Sequence, residues 1–405
     1  MKVLHINSSD ISGGAGIAGH RLHEALPTQG IKSMLLVDKM QSDSNLSAAI
    51  PRRRYLSSLG SRLAYHTGLN YVNHISSFNI PSHPFYKEAD ILNFHDLHGD
   101  YFNYLALPKL TEQKPAVFTL HDMWGFTGHC AYSFECDRWK IGCGNCPHLE
   151  TCPSTGRDNT RIEWQLKRWS YNHSNLAIIS PSQWLANLAS ESILKKFPIY
   201  HIPNGIDTEI YKPIDPEMCR AALGISNNKK VILFVAHSLQ DSRKGSDLLI
   251  SALQKLPDVL KSEIVLIAMG EGGGALADSS DIQIIPLGYI GGDRLKVIAY
   301  AAADISICPT RADNLPLVLQ ESMACGTPMI SFDVGGVPEV VRPGLTGLLA
   351  KAENSTDFSE KMIQLLTDKK IQQKMAISCR EIAIKEYSTE LQASRYINVY
   401  QKMLN

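Results

Sequence analysis

Short apolar runs and amphipathic helical patterns alternate along almost the whole chain. Apolar runs bounded by polar turns are typical of buried strands, and apolar residues three or four positions apart indicate helices. In the first half these patterns predict strands at 2–7, 33–38, 90–94, 116–120, 177–180 and 200–202, and helices at 14–26, 161–172 and 182–197. Strands that alternate with helices in this way favour a parallel sheet covered on both faces.

The same alternation restarts after a Pro- and Gly-containing turn at 203–207, which is the natural linker between two halves. The second half predicts strands at 231–235, 263–268 and 305–308, the end of a further strand at 287–290, helices at 246–256 and 315–324, C-terminal helices from about residue 357, and a last helix at 392–404. The pattern therefore predicts an α/β chain with two parallel sheets.

The stretch 304–328 carries the strongest chemical signal. Its strand ends at Pro309, a polar turn follows, and the next helix ends at Gly326. A strand that feeds a helix through a polar turn leaves backbone N–H groups at the helix start, and these can hold a phosphate. Asp313 and Glu321, a little over two helical turns apart, could reach different hydroxyls of one extended ligand. Carboxylates beside an anion-binding turn indicate a nucleotide sugar.

These residues resemble a known family. Asp313-x7-Glu321 is similar to the acid-x7-Glu signature of the family 4 retaining glycosyltransferases of GT-B fold. Further matches follow the family's order along nearly the whole chain: a Gly-rich loop after the first strand, Asn-Gly-Ile-Asp at 204–207, Lys244-Gly245, Met-Ala-Cys-Gly-Thr-Pro at 323–328, and Gly-Gly-Val-Pro-Glu at 335–339. The first carboxylate of the family is usually Glu. Asp313 is one methylene shorter, which leaves the donor sugar open.

The resemblance implies a GT-B architecture, with two Rossmann-like domains whose parallel sheets face each other across a cleft. Residues 1–202 would form the acceptor-side domain, 203–386 the nucleotide-sugar domain, and 387–405 a helix that crosses back to the first domain. The implied activity is transfer of a hexose, with retained anomeric configuration, from a UDP or GDP sugar to a carbohydrate or lipid-linked acceptor in polysaccharide or glycolipid synthesis. No catalytic metal is expected, and no Asp-x-Asp pair suggests one.

The resemblance also assigns roles to individual residues. The catalytic group would comprise His121, Asp313, Lys244 and Arg243. The donor would contact Gly13, Gly14, Gly16, Asn314, Leu315 and Glu321. Asp122 would lie on the acceptor side. The family's Arg after the first strand of the second half has no counterpart here, and we expect Arg243, next to Lys244, to replace it as a second cation on the leaving diphosphate.

Polar residues at the ends of two predicted strands of the first half support this assignment. His121 and Asp122 follow one strand, and Asn93, His95 and Asp96 end its neighbour. The carboxyl ends of parallel strands border the ligand crevice of open α/β sheets. A His that merely ends a strand is the alternative interpretation of His121.

The Gly-rich loop also matches a different fingerprint. Gly14-x-Gly16-x-x-Gly19 has the spacing of a dinucleotide-binding turn, and Asp38 ends the next strand where a ribose ligand would lie. An NAD-dependent oxidoreductase is therefore an alternative. Some six residues separate the predicted strand 2–7 from Gly14, whereas the fingerprint requires a tight turn, so the longer ligand loop is favoured. An epimerase or phosphorylase of GT-B fold and a non-catalytic sugar-binding module are two further possibilities.

Five of the nine cysteines lie together in an insertion at 128–153. Their spacing is Cys130-x5-Cys136-x6-Cys143-x2-Cys146-x5-Cys152. A Cys-x2-Cys knuckle with two further cysteines predicts a closed, structural zinc site. The predicted ligands are Cys130, Cys136, Cys143 and Cys146, with Cys152, His129 and His148 as alternates. Unmetallated thiols or a disulfide would also explain the pattern.

Composition and charge limit the remaining possibilities. The 405 residues are 44% hydrophobic and 20% charged with zero net charge, which argues against a nucleic-acid partner. No apolar run approaches the ~18 residues of a membrane span, and no signal-peptide pattern is recognised, so a cytoplasmic protein is expected. Residues 44–87 contain no Asp or Glu, and Arg52, Arg53 and Arg54 lie beside apolar positions at 56, 59 and 63. This basic stretch predicts either peripheral contact with the inner face of an anionic membrane or an ordinary solvated helix.

Overall fold

The computed structural model describes residues 1–51, 60, 62, 64–277 and 281–405. The chain divides into two compact units. Unit 1 comprises Met1–Gly205 together with Glu390–Asn405, and unit 2 comprises Ile206–Thr389. The last helix therefore belongs with the first half of the chain.

Unit 1 is built on a seven-stranded sheet in which every paired strand is parallel to its neighbour. Its spatial order is β3-β2-β1-β4-β5-β6-β7. The strands are β1 (Lys2–Ser9), β2 (Lys32–Lys39), β3 (Ser47–Ala49), β4 (Ile91–Phe94), β5 (Ala116–Thr119), β6 (Leu176–Ser180) and β7 (Ile199–His201). The central strands are almost wholly buried, as expected for a parallel sheet covered on both faces.

Helices cover this sheet. The α-helices of unit 1 whose whole length is described are α1 (Gly13–Ala25), α2 (Pro84–Glu88), α3 (Leu107–Thr111), α4 (Thr160–Asn172), α5 (Gln183–Ser190) and, at the C-terminus of the chain, α14 (Thr389–Leu404). The last of these helices buries Tyr396 and Tyr400 in one apolar cluster with Val3, Leu22 and Val117. Two hydroxyls extend this contact, because Tyr400 accepts a hydrogen bond from Asn93 and Tyr396 is hydrogen-bonded to Thr119.

Unit 2 has a six-stranded sheet whose pairs are likewise all parallel, in the order β10-β9-β8-β11-β12-β13. The strands are β8 (Lys230–Ser238), β9 (Ile264–Glu271), β10 (Gln283–Gly288), β11 (Ile305–Cys308), β12 (Met329–Phe332) and β13 (Gly347–Ala350). The helices are α6 (Pro216–Ala222), α7 (Ser246–Gln254), α8 (Asp258–Glu263), α9 (Gly273–Ala277), α10 (Asp293–Ala302), α11 (Leu317–Ala324), α12 (Ser355–Thr367) and α13 (Lys369–Tyr387).

The predicted fold class is confirmed: two α/β units each contain one parallel Rossmann-like sheet. The prediction for 182–197 is wrong in its second half, because α5 ends at Ser190. Ser192 explains the end of the helix. Its hydroxyl donates to the Ala189 carbonyl and accepts from the Leu194 N–H, so that local side-chain bonds replace the next helical turn.

Candidate functional site

The first polar centre lies in unit 2, just beyond β11, where Asp313 is held by two cations. One oxygen of its carboxylate lies 2.6 Å from Lys244 Nζ and 3.3 Å from Arg243 Nη1. Asp313 is 8% exposed. Burial by itself would raise the pKa of this carboxyl, but Lys244 and Arg243 outweigh it, and the pKa is lowered. The three predicted catalytic residues of this half therefore meet, with Asp313 ionised.

Backbone hydrogen bonds hold the loop of Arg243 and Lys244 against the segment that follows β11. The Arg243 carbonyl accepts from the Arg311 N–H at 2.8 Å and from the Thr310 hydroxyl at 3.0 Å. Arg243 also donates to the Ala312 carbonyl at 2.9 Å. The positions of the two cations are therefore determined by the fold as well as by their attraction to Asp313.

Two glycines allow the close approach of these segments. Gly245 has φ +73°, and a Cβ there would lie 1.9 Å from the Pro309 carbonyl oxygen. Gly335 has φ +55°, and a Cβ there would lie 2.1 Å from the Asp313 carbonyl oxygen. Any side chain would displace backbone at either position, in addition to the cost of the left-handed conformation. The Lys244-Gly245 and Gly335-Gly336 motifs therefore pack directly against the segment that carries Asp313.

The start of α11 differs in one respect from the predicted phosphate cradle. The Asn314 N–H donates to Asp313 Oδ1 at 3.0 Å, so the Asp313 side chain occupies that amide in this structure. Asn314 and Leu315 are both buried, at 3% and 5% exposure. A phosphate at Asn314 would have to replace the Asp313 oxygen on this N–H.

Glu321 lies within α11 and is bound by a residue that the sequence did not indicate. Its carboxylate accepts a hydrogen bond of 2.8 Å from the Tyr300 hydroxyl. Tyr300 is fully buried and packs edge-on against Tyr211, with ring centroids 6.2 Å apart. Burial, with the Glu321 charge next in importance, raises the pKa of Tyr300 well above its ordinary value, so the hydroxyl remains a donor. Tyr300 thereby fixes the orientation of Glu321.

The second polar centre lies in unit 1, beyond the ends of β4 and β5. Asp122 accepts from His98 Nε2 at 2.7 Å and from the Trp124 N–H at 2.8 Å. His98 Nε2 is also 3.0 Å from Asp96. Burial disfavours the imidazolium, but the two carboxylates outweigh it and raise the pKa of His98 to about 9. A small cavity borders this group, and its lining includes His95, Asp96, His98, His121, Asp122 and Trp124.

His121 continues this centre toward the interior of the sheet. Its Nε2 lies 3.2 Å from His95 Nδ1, and His95 Nε2 lies 2.9 Å from His5 Nδ1. Burial lowers the pKa of His121 to about 4 and lowers those of His95 and His5 well below the ordinary value. All three imidazoles are neutral near pH 7.

Asn93 does not line this cavity, contrary to the sequence expectation. It is fully buried and bonds Tyr400 and Thr119. Successive residues of a strand point to opposite faces, so the position next to the strand end lies on the side that α14 covers. His95 and Asp96, beyond the last residue of β4, do line the cavity.

The Gly-rich loop is shorter than predicted. β1 runs to Ser9 and α1 begins at Gly13, so only three residues separate the strand from the helix. Gly13 has φ +73°, a conformation that favours glycine, and a Cβ on Gly16 would lie 3.3 Å from the Ser9 carbonyl oxygen. Apart from its chain neighbours and the backbone of its own helix, no atom of the described residues lies within 4 Å of the position that a Cβ on Gly14 would take. The expectation of a longer loop is therefore wrong, and loop length does not exclude a dinucleotide turn.

Asp10 is a further residue of this loop that the sequence did not single out. Its carboxylate accepts from the N–H groups of Ile11, Gln41 and Ser42 and from the Ser42 hydroxyl. Burial opposes ionisation, but these hydrogen bonds prevail and lower the pKa of Asp10. Asp10 therefore ties the loop after β1 to the loop after β2.

The structure describes the whole Cys-rich insertion, and none of the nine cysteines, all within the described ranges, forms a disulfide. The Cys143–Cys146 knuckle has left-handed backbone at three successive residues, Cys143, Gly144 and Asn145. Cys143 Sγ accepts from the Gly128 N–H at 3.2 Å, and Cys146 Sγ lies 3.3 Å from His129 Nε2. Over the described ranges, no three His, Cys, Asp or Glu side chains are already grouped so as to hold a metal ion. The zinc site stays a prediction.

Arg52, Arg53 and Arg54 lie outside the described residues, so their predicted membrane contact stays a prediction. In the part of the chain that the structure does describe, no helix is both long enough and apolar enough to cross a bilayer.

Comparison with known proteins assigns both halves of the chain to glycosyltransferase models. The model described as Glycosyltransferase Family 4 matches residues 12–210, and the model described as Glycosyl transferases group 1 matches residues 217–382. WcaC of Escherichia coli (strain K12), named as a putative glycosyl transferase of colanic acid biosynthesis, is 28% identical over 331 residues, which are 77% of this chain and 76% of WcaC.

Solved structures share the fold at low sequence identity. Sucrose-phosphate synthase from Thermosynechococcus elongatus has a TM-score of 0.73 at 17% identity, over 100% of this chain and 99% of that one. Anabaena Alr3699/HepE, solved in complex with UDP-glucose, has a TM-score of 0.68 at 16% identity, over 99% of this chain and 100% of that one.

Proposed function

Because the chain belongs to the glycosyltransferase family of these group 1 and family 4 models, we propose that it is a retaining hexosyltransferase. It takes the hexose from a nucleotide diphosphate sugar, carrying UDP or GDP, and transfers it to a carbohydrate or lipid-linked acceptor. Family membership disfavours the NAD-dependent oxidoreductase that the Gly-rich loop suggested.

The observation that carries this proposal is the meeting of Lys244 and Arg243 at Asp313. As the bond from the anomeric carbon to the diphosphate breaks, negative charge develops on the departing phosphate oxygen. Two cations that the fold already holds together stabilise that charge without reorganisation at the moment of reaction. Both are partly buried, with 19% and 28% of their side chains exposed, which strengthens the interaction relative to water.

The other roles follow from the chemistry of each side chain. The Asp313 carboxylate accepts a hydrogen bond from a hydroxyl of the donor sugar, and the Glu321 carboxylate accepts hydrogen bonds from the hydroxyls of the ribose. The Leu315 amide binds a phosphate oxygen, and so does the Asn314 amide once the Asp313 oxygen has left it. In unit 1, Gly13, Gly14 and Gly16 bind the donor, His121 bonds the transferred sugar, and Asp122 bonds an acceptor hydroxyl. In the reaction, the acceptor hydroxyl oxygen forms its bond to the anomeric carbon on the face from which the diphosphate leaves, and the hydroxyl proton passes to the departing diphosphate.

Two similar proteins support the choice of substrates. The HepE structure contains UDP-glucose, which favours UDP as the nucleotide. The name of WcaC links it to colanic acid, which favours a polysaccharide or glycolipid acceptor. A cytoplasmic location, with peripheral contact at the inner face of the membrane through Arg52–Arg54, agrees with an acceptor carried on a lipid.

The insertion at 128–153 is the second part of the proposal: it binds one structural zinc ion through Cys130, Cys136, Cys143 and Cys146. The left-handed knuckle supports this assignment. Burial raises the pKa of the Cys130 thiol to about 12 and of the Cys143 thiol to about 11, and the positive charge of the buried Lys167 only partly opposes this rise, so bound zinc would have to favour the thiolates. The thiols would have to close around the ion, and zinc supplies the cross-link that orders the loop.

One assay separates the proposed transfer from the competing activities. The protein is incubated with a panel of UDP and GDP sugars, with and without a mixture of carbohydrate and lipid-linked acceptors, and nucleoside diphosphate is measured. Transfer predicts release that rises strongly with acceptor and persists with a chelator, because no catalytic metal is required. Equal turnover without a glycosyl acceptor indicates an epimerase or a phosphorylase, and binding with no release indicates a sugar-binding module.

A further inference from the structure

His5, His95 and His121 form a continuous hydrogen-bonded chain across three neighbouring strands of unit 1. β4 lies between β1 and β5 in the sheet, and the three residues come from β1 and from just beyond β4 and β5. Their rings are stacked in sequence, with centroid separations of 5.2 Å and 5.4 Å. His5 and His95 are 0% and 1% exposed.

The positions of the protons in this chain are coupled. A neutral imidazole has one N–H and one unprotonated nitrogen, so His95, which uses both nitrogens, must accept from one neighbour and donate to the other. Only two arrangements satisfy both hydrogen bonds. In the first, His5 Nδ1 donates to His95 Nε2, and His95 Nδ1 donates to His121 Nε2. In the second, every proton is on the opposite nitrogen and every bond is reversed.

The buried end of the chain distinguishes the two arrangements. Among the described residues His5 Nε2 has no hydrogen-bond partner. In the first arrangement that atom is an unsatisfied lone pair, and in the second it is an unsatisfied N–H. Buried donors without a partner are rarer than under-satisfied acceptors, so the first arrangement is favoured.

We propose that His5 and His95 are positioning residues that hold His121 in the tautomer with its proton on Nδ1. His121 Nε2 is then occupied as an acceptor from His95 and Nδ1 carries the proton, so neither ring nitrogen has a lone pair for a general base. An oxygen of a sugar hydroxyl or a phosphate that approaches Nδ1 would accept a hydrogen bond there. This role in substrate binding rests on the proposed glycosyl transfer, whereas the tautomer itself does not.

The packing around His95 supports a fixed geometry. A Cβ on Gly19 of α1 would lie 2.6 Å from the Asn7 amide nitrogen and 3.6 Å from His95 Nδ1. The helix therefore packs closely over the middle of the chain of histidines, and Gly19 of the apparent dinucleotide fingerprint has a packing role here.

Nitrogen NMR of protein labelled with ¹⁵N in its histidine rings tests the tautomer directly. The His121 signals are assigned by their loss in His121→Asn. The wild type should show a protonated Nδ1 and an unprotonated Nε2 at His121. His95→Phe removes the donor, and His121 should change toward the Nε2–H form that free imidazole side chains prefer. A protonated Nε2 in the wild type, or an unchanged His121 in His95→Phe, would overturn the proposal.

A matched control and a kinetic measurement complete the test. His23→Phe removes another buried histidine that is hydrogen-bonded to Ser33 and lies edge-on to His5, and it should leave the His121 signals unchanged. With a donor substrate, His95→Phe should lower kcat/KM about tenfold, the effect of losing one oriented hydrogen bond. His95→Gln, whose amide can both accept and donate, should restore most of it. If the wild type shows the Nδ1–H tautomer but no sugar transfer, the proposed function fails and the inference about the tautomer stands; if His95→Gln is no better than His95→Phe, the inferred role in binding fails.

Discussion

Lys244 Nζ lies 2.6 Å from the Asp313 carboxylate, although the two residues are 69 positions apart in the chain. Gly245 and Gly335 make this contact possible, because a Cβ at either position would overlap a carbonyl oxygen of the segment that carries Asp313. The ion pair is therefore a property of the sheet topology, which brings the ends of β8 and β11 together.

Lys244→Ala should lower kcat roughly 10²- to 10³-fold, the usual effect of losing one group that stabilises developing charge, with a smaller change in KM. Steady-state release of nucleoside diphosphate measures both constants. Lys255→Ala, at an exposed position in the same unit, is the matched control and should behave as wild type. A Lys244→Ala enzyme with normal kcat and a raised KM would mean that Lys244 binds ground state and transition state equally.

Glu321→Ala should weaken binding of the nucleoside diphosphate about tenfold or more, because it removes a charged hydrogen-bond acceptor, while kcat changes less. Tyr300→Phe should act in the same direction and more weakly, since it only frees the carboxylate that Tyr300 orients. Titration calorimetry with UDP and GDP gives the affinities. Unchanged affinity in Glu321→Ala together with a large loss of turnover would contradict the ribose assignment.

His98 should make the stability of unit 1 depend on pH on the alkaline side. Its pKa in the folded protein is about 9, above the ordinary value of 6.5, because Asp96 and Asp122 outweigh burial. The stabilisation is therefore complete below pH 6.5 and is lost as the pH rises through about 9. The difference in free energy of unfolding between wild type and His98→Gln, on the order of 3 kcal/mol at about pH 6, should shrink by about pH 9.5. Denaturant unfolding at the two pH values decides this, and a constant difference would count against the charged His98.

The insertion should contain one zinc ion per chain, and elemental analysis of protein purified without chelator measures it. Cys146→Ser should lose the ion, because it removes half of the knuckle. Cys152→Ser should retain it, since that exposed cysteine is only an alternate ligand. A zinc content well below one ion per chain, together with insertion thiols that titrate freely, would contradict the zinc site. The insertion would then be a Cys-rich loop without a metal.

The basic stretch should bring the protein to anionic vesicles. Each Arg near such a surface contributes about 1 kcal/mol at low salt, so Arg52/Arg53/Arg54→Ala should float far less than the wild type. A triple Ala variant at Lys369, Lys370 and Lys374 removes the same charge from exposed positions of unit 2 and is the control. Equal flotation of the two variants, or none by the wild type, would refute a membrane role for this stretch.

The local sequence pattern predicts a strand or helix well where the apolar positions and the terminating residue all lie within that one element. The strand Ile305–Cys308 is predicted at its observed limits, because Ile alternates with small residues and Pro309 cannot continue the ladder. The predicted β1 is too short, since Ser8 and Ser9 are polar, yet Ser9 still pairs with Lys39 in the parallel register. Polar residues can extend a strand when the neighbouring strand supplies their backbone hydrogen bonds.

The site is predictable as single residues but not as pairs. Asp313 and Glu321 are recognisable from their spacing within one strand–turn–helix segment. The contact of Tyr300 with Glu321 cannot be recognised from the sequence, and neither can the position of His98 between two carboxylates. Both contacts form only when separate elements pack together. The chain of histidines has the same origin, since His5 and His121 come from strands that are far apart in sequence and share β4 as a neighbour.

The central claim is sugar transfer with retention of configuration at the Lys244–Asp313 centre, and ¹H NMR of the reaction tests it most directly. The wild type is mixed with the nucleotide sugar and acceptor that support release of nucleoside diphosphate, and the anomeric proton of the first product is followed in time. The account predicts a new glycosidic product whose anomeric configuration is that of the donor, formed far more slowly by Lys244→Ala. A product of inverted configuration, or equal rates for the wild type and Lys244→Ala, would contradict it.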